Sequence, residues 1–463
     1  MPKGSAAWLS GTTPAKAAKR LAVIGLDCAD PNLLEELLGG LPTFRELIGG
    51  GTFSRLASVD PPITVPAWMC MFTGRDPGEL GVYGFRNRAD YSYGGLAVAS
   101  SASFGVPAVW DELGRRGKRS ILLGVPGTYP PRPVRGLMVA GPLTPNGGTN
   151  FTYPASLKHR IATWVGDYIP DVRGFRTQDK GWLIERVRGM TEQRFSLARR
   201  LLREERWDLF VMVEMGPDRI HHGLWAHHDP HHSKHDPKSP FRDAIRDYYR
   251  FLDGKLAELL SELPGGTQVL VVSDHGVQGM EGGIGINEWL IQEGYLVLRR
   301  YPERPVRLGE LVEAGLVDWS RTVAWGEGGY YGRVFLNLAG REPQGIVPPE
   351  RYEEIRAELA ARLAAIPDEA GRPIGTRVLR PEGLYRKVRG IPPDLIVYFG
   401  DLGWRSIGTV GWRKVHLREN DTGPDEANHS HHGIFIAYPK LDDRPERSIL
   451  EVHDLILSVM GDG

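Results

Sequence analysis

Residues 215–236 read MGPDRIHHGLWAHHDPHHSKHD and carry seven of the fourteen histidines in the chain: His221, His222, His227, His228, His231, His232 and His235. Imidazole titrates near neutral pH and is a common metal ligand. A histidine-rich tract is by composition only a weak pointer to metal, so spacing has to decide. Asp218 and His222 are four residues apart. On one turn of helix they share a face, with Cβ atoms about 5–6 Å apart, and both could hold one ion; His221 would point away. The plainer alternative is a helix-capping Asp beside a surface His. A second carboxylate–imidazole pair, Asp274 and His275, lies in SDHG. Its alternative is a turn after a strand, with Gly276 supplying a positive φ. A third histidine group, including His429, lies in NHSHHGIFIAYP. A nucleophile candidate, Thr64, sits in DPPITVPAWMCMFTG. Pro66 and the apolar run after it mark a helix start. A hydroxyl there meets the positive end of the helix dipole and free N–H groups, which favours an alkoxide and an incoming phosphate. The alternative is an ordinary Thr cap.

Most of these residues fall at the ends of short aliphatic runs. RLAVIGLD, SILLGVP, WDLFVMVEM, TQVLVVSDHG and PDLIVYFG are each bounded by turn residues, as expected of strands buried on both faces in a parallel sheet. Helical spacing lies between them; Ile245, Tyr249, Leu252, Leu256 and Leu259 recur at intervals of three and four. The alternation predicts an α/β fold with a largely parallel central sheet between helices. Ligands in such folds bind outside the carboxyl ends of the strands, where Asp27, Asp218, Asp274 and His275 stand. Residues 301–390 keep the pattern less well, with one or two antiparallel strands in TVAWGEGGYYGRVFLNL and a helix over Pro349–Ile366. They are expected to form an inserted cap. The catalytic core would then comprise residues 20–300 and 391–463, with a return to the main sheet at PDLIVYFG and a flexible lead-in over residues 1–19.

Together the ordered pieces GLDCAD, PPITVPAW…FTGRDPGELGVYGF, PDRIHHGLW, SDHG and NHSHHGIFIA resemble the alkaline phosphatase superfamily. The likeness is to its type I phosphodiesterase/nucleotide pyrophosphatase branch and related phosphohydrolases and phosphomutases, over roughly Leu21–Leu296 and Pro393–Pro439. The resemblance implies an alkaline-phosphatase-like fold and two divalent ions, zinc first and manganese or iron as alternatives. Asp27, Thr64, Asp274 and His275 match the ligands of one ion; Asp218, His222 and His429 match those of the other. It implies a phosphohydrolase acting through a phosphothreonine on Thr64. Of the seven histidines that open the question, His222 alone matches a ligand, and His227–His235 are expected to be solvated loop. Relatives that cleave nucleotide diesters often place an Asn where this chain has Phe85. Arg86, Asn87 and Arg88 follow, and an Arg fork suits a dianionic phosphate.

The same intermediate could serve a phosphomutase or phosphotransferase, or a nucleotide phosphodiesterase/pyrophosphatase. A non-catalytic, metal-dependent phosphate binder is a more distant reading. Sulfatase chemistry is disfavoured, because Thr64 cannot form formylglycine and Trp68 stands where that motif needs Arg. Lys+Arg and Asp+Glu balance at 57 each, so no global field recruits nucleic acid or an anionic membrane. The expected partner is a small phosphate ester. Two cysteines, Cys28 and Cys70, exclude a disulfide framework. With no apolar run of spanning length, the expected location is the cytoplasm. The oligomeric state is left open.

Overall fold

The computed structural model describes residues 20–145 and 150–461; the expected lead-in at 1–19 lies outside the described residues. A nine-stranded sheet forms the core. Its spatial order is Glu446–Ser448, Thr52–Ala57, His432–Tyr438, Gln268–Val272, Leu21–Leu26, Leu209–Glu214, Ser120–Val125, Gly136–Ala140 and Thr152–Tyr153. The five strands from Gln268–Val272 to Gly136–Ala140 run parallel. The aliphatic runs over Leu21–Leu26, Ser120–Val125, Leu209–Glu214 and Gln268–Val272 are buried at every residue. His432–Tyr438 enters antiparallel to both of its neighbours.

Helices Lys180–Glu204, Gly216–His228 and Ala244–Leu260 pack on one another. Every one of the predicted apolar positions of Ala244–Leu260, from Ile245 to Leu259, is buried, as an amphipathic face requires. A second group joins Thr64–Thr73, Val109–Arg115 and Glu451–Val459. The first of these presses Trp68 on the central strand, and Gly25 leaves it room: a Cβ there would lie 2.5 Å from Trp68 Cη2 and 2.9 Å from a Val213 methyl.

A separate four-stranded antiparallel sheet runs in the order Ala324–Glu327, Gly332–Leu336, Leu395–Tyr398, Arg377–Leu379. The helix expected after Pro349 spans Tyr352–Ala364. The return to the main sheet at PDLIVYFG is corrected: Leu395–Tyr398 pairs with Gly332–Leu336 and Arg377–Leu379 in the smaller sheet. It is wholly buried there, so its aliphatic run matches that of a central strand. Burial makes a strand apolar without saying which sheet buries it. Asp394 fixes its entry, its carboxylate accepting from Arg341, Tyr352 and Leu336 N. The apolar core of this unit draws in residues from Ile284 to Leu296 and from Leu395 to Val410, on both sides of the expected insert. No helix among the described residues is long and apolar enough to cross a membrane.

Gly25→Ala is expected to destabilise the protein by about 1–3 kcal/mol through overpacking against Trp68 and Val213. Denaturant unfolding would show this as a lower midpoint, with an unchanged midpoint counting against the packing assigned to Trp68.

Candidate metal centre

Five segments deliver the predicted ligands to one place. Asp27 follows the strand Leu21–Leu26 directly, its N–H bonded to Glu214 O at 2.9 Å. Thr64 is the first residue of helix Thr64–Thr73, where first-turn N–H groups have no intrahelical acceptor. Asp218 and His222 share one face of helix Gly216–His228. Asp274 and His275 follow the strand Gln268–Val272. His429 lies on the strand Ala427–Ser430, opposite Val277 of Gly276–Gly279. The close antiparallel approach explains Gly276. It has no positive φ; a Cβ there would lie 2.2 Å from His432 O and 2.4 Å from Asp30 Oδ2.

All seven are at most 3% exposed. Ligand-capable atoms of Asp27, Asp274 and His275 lie within 4.8 Å of one another, as do those of Asp218, His275 and His429. His222 Nε2 is 3.3 Å from Asp218 Oδ1, and Thr64 Oγ1 is 3.4 Å from His275 Nε2. His275 thus borders both groups. The centre's inward atoms are the telling ones: Asp27 Oδ1, Asp218 Oδ1, His222 Nε2, Asp274 Oδ2 and His429 Nε2 are buried without a hydrogen-bond partner. Buried polar atoms are nearly always satisfied, and uncompensated buried charge is costly. Five such atoms facing one space fit divalent cations.

The outward atoms are all held. Trp68 Nε1 donates to Asp27 Oδ2 at 2.7 Å, and Cys28 N donates to Asp274 Oδ1 at 3.2 Å. Arg219 donates to Asp218 Oδ2 and forks onto Asp171 at 2.8 and 2.7 Å. His275 Nδ1 donates to Gly276 O at 3.1 Å, and His429 Nδ1 to Pro62 O at 2.7 Å. With each Nδ1 bonded to a carbonyl, each Nε2 is left facing the centre.

The electrostatics show the strain of gathering acids away from water. Burial, then Asp274 and Asp218, pushes the Asp27 carboxyl well above its usual range. Burial likewise raises Asp274, only partly offset by His275. For Asp218 burial acts upward but His222 and Arg219 outweigh it, holding the carboxyl well below its usual range. Burial opposes protonation of His222 and His275, yet Asp425 with Asp218 pushes the first up to about 9, and Asp274 with Asp27 the second up to about 9.

The remaining predicted residues lie elsewhere. Arg88, named for phosphate contact, is buried among Trp325, Phe335 and Tyr91, with its guanidinium on Glu342 at 3.0 Å and on Ser92 O. Asn87 spends its amide on Tyr83 N and Gly84 O. Arg86 is exposed, and its side chain has no hydrogen bond or ion pair among the described residues. The histidines after His222 differ from the expected solvated loop. His227 and His228 close the helix; His232 is buried on Glu426 O at 3.0 Å, and His235 bonds Ala226 O. Only His231 of the group is exposed.

Two residues at the centre lie outside the predicted ligand set: Tyr330, which belongs with Trp325 and Tyr331 to an aromatic group whose composition suits stacking on a base or sugar, and Asp425, which escapes sequence reasoning. Asp425 meets His222 Nδ1 at 2.7 Å. The Tyr330 ring stacks on His222 at 5.0 Å and leans on His429 at 4.3 Å. The aromatic cluster at 325–331 is a composition signal for Tyr330; Trp325 and Tyr331, its companions there, are packed in the cap and its junction with the core. Asp425 carries no signal, being one acid in a polar loop.

The family model of type I phosphodiesterase/nucleotide pyrophosphatase matches residues 21–434. No curated protein matches the chain. Among solved structures, phosphonoacetate hydrolase from Sinorhizobium meliloti 1021, bound to phosphonoacetate, is similar with a TM-score of 0.63 at 17% identity, over 96% of each chain. Human ectonucleotide pyrophosphatase/phosphodiesterase 5 is similar with a TM-score of 0.56 at 14% identity, over 96% of this chain and 95% of that one. An inactive variant of the murine protein in complex with AMP gives a TM-score of 0.51 at 14% identity, over the same shares. These likenesses establish the fold. The chain belongs to the type I phosphodiesterase/nucleotide pyrophosphatase family, a family of phosphoric ester hydrolases.

Proposed function

We propose that the protein is a two-metal phosphohydrolase that cleaves small phosphate esters through a covalent phosphothreonine on Thr64. The observation that carries this reading is the set of five unpartnered, buried ligand atoms converging beside a hydroxyl at a helix start. Asp27, Thr64, Asp274 and His275 would hold one ion, and Asp218, His222 and His429 the other. Mixed carboxylate and imidazole donors suit zinc, with manganese or iron as alternatives. When bound, the ions supply positive charge that acidifies a nearby hydroxyl and stabilises the entering and leaving oxygens of an in-line displacement.

The protein's own groups prepare the rest. Helix Thr64–Thr73 aims Thr64 Oγ1 into the centre and brings unbonded N–H groups to an incoming phosphate. Trp68, one turn on, pins the outer oxygen of Asp27. Thr64 Oγ1 attacks phosphorus, the bond from phosphorus to the leaving oxygen breaks, and water later cleaves the phosphothreonine. Burial excludes bulk water and strengthens each charge interaction. Of the three residues proposed for phosphate contact, Asn87 and Arg88 are committed to other partners, and Arg86 alone keeps an exposed side chain that could turn to a substrate.

The deciding assay compares a chromogenic phosphate monoester with the matching diester on metal-reconstituted protein. Turnover of one of them is expected, with Thr64→Ala slowing it at least about 10³-fold while ion binding by the remaining ligands persists. Turnover that survives in Thr64→Ala would sink the covalent route; no turnover of either ester by metal-loaded protein would favour transfer to a specific acceptor or a silent phosphate binder. Exhaustive chelation should abolish activity, and zinc or manganese should restore it. Full activity in chelated, metal-free protein would end the two-metal reading.

A further inference from the structure

Each histidine at the centre has its Nδ1 held from behind, but the three holders differ in kind. For His275 and His429 they are main-chain carbonyls, Gly276 O and Pro62 O. For His222 it is a side chain, Asp425, whose Oδ1 accepts from Nδ1 at 2.7 Å. Asp425 is fully buried and reaches the site from a loop 203 residues beyond His222. Its other oxygen, Oδ2, accepts from Arg176 Nε at 2.7 Å and from Arg405 at 3.3 Å. Arg176 also donates to the Tyr330 hydroxyl, and Arg405 lies 4.8 Å from the centroid of that ring. Tyr330 in turn covers the faces of His222 and His429.

We infer that Asp425 is a positioning residue that fixes the tautomer and ring plane of His222, and that Arg176 and Arg405 hold it in that role from behind. The inference rests on the two-ion reading above. Asp425 is not itself a ligand, because both of its oxygens are engaged. Asp27, Asp218 and Asp274 each keep one oxygen free toward the centre; Asp425 does not. A carboxylate behind a ligating imidazole makes Nε2 a better donor and removes the freedom of the ring to turn. Two arginines keep that carboxylate charged where burial alone would neutralise it. The peptide following Asp425 adds a second tie: Glu426 N donates to His222 O at 2.9 Å, and the Glu426 carboxylate takes Ala226 N and Lys180. Helix Gly216–His228 and the loop carrying Asp425 are thus locked together before either meets an ion.

The experiment measures zinc stoichiometry and affinity by titration against graded chelator, on wild type, Asp425→Ala and Asp425→Asn. Wild type is expected to hold two equivalents. Asp425→Ala should weaken one of them by about 10–100-fold and leave the other unchanged. Asp425→Asn should fall between, since its carbonyl still accepts from Nδ1 but lacks charge. A role confined to fold stability would shift the melting of metal-free protein without separating the two affinities. If wild type holds two equivalents and both variants match it, this inference is overturned and the two-ion reading stands. Should Asp425→Ala fail to give a cooperative melt, Asp425→Asn decides alone by the same criterion. Wild type that holds fewer than two equivalents overturns both.

Discussion

Repulsion among buried carboxylates governs the architecture around the centre. Asp27 and Asp274 follow two neighbouring parallel strands, Asp218 lies in the first turn of the helix after a third, and none can reach water. Among the described residues, Arg219 is the one arginine or lysine on them, bonded to Asp218; the other basic groups beside them are imidazoles, His222 at Asp218 and His275 at Asp274. An arrangement of that kind persists only when positive charge is supplied or protons are taken up. The surroundings are built to tolerate it. Every outward oxygen has a donor, so the imbalance is confined to the inward atoms. Trp68 is the clearest case, joining the packing of the central strand to the orientation of a ligand.

Much of this is legible in the sequence. The parallel strands announced themselves as aliphatic runs, and acids at their carboxyl ends pointed to the face that matters. Asp218 and His222 could be paired from helical spacing, and Thr64 from the proline two residues on. What stayed hidden has physical causes. Leu395–Tyr398 is as apolar as any central strand, since the smaller sheet buries it fully. Arg88 and Arg86 look alike in sequence, yet one is swallowed by the cap against Glu342 and the other faces solvent. Asp425 gains its meaning from a contact across 203 residues that no local pattern encodes.

The segments around the smaller sheet also reach the centre. Tyr330, between two of its strands, and Arg405, which follows a third, complete the environment of His222 and His429. A tyrosine-rich cluster of Tyr83, Tyr330, Tyr331, Tyr385 and Tyr398 welds that unit to the loop before Thr64. Tyr385 and Tyr398 both bond Asp60, four residues ahead of Thr64. Movement of the smaller sheet would therefore be felt at Thr64 and at the imidazoles together.

The place of His432–Tyr438 in the main sheet also bears on how the chain is made. It lies between Thr52–Ala57 and Gln268–Val272, strands synthesised long before it. During translation both wait with unpaired edges, the first joined to nothing in the large sheet until His432–Tyr438 and Glu446–Ser448 are made. Unpaired edges of this length are templates for association between nascent chains. The sheet closes late, and His429 arrives just ahead of the strand that closes it. Completion of the cluster around His429 and the end of that exposure are therefore linked in the order of synthesis.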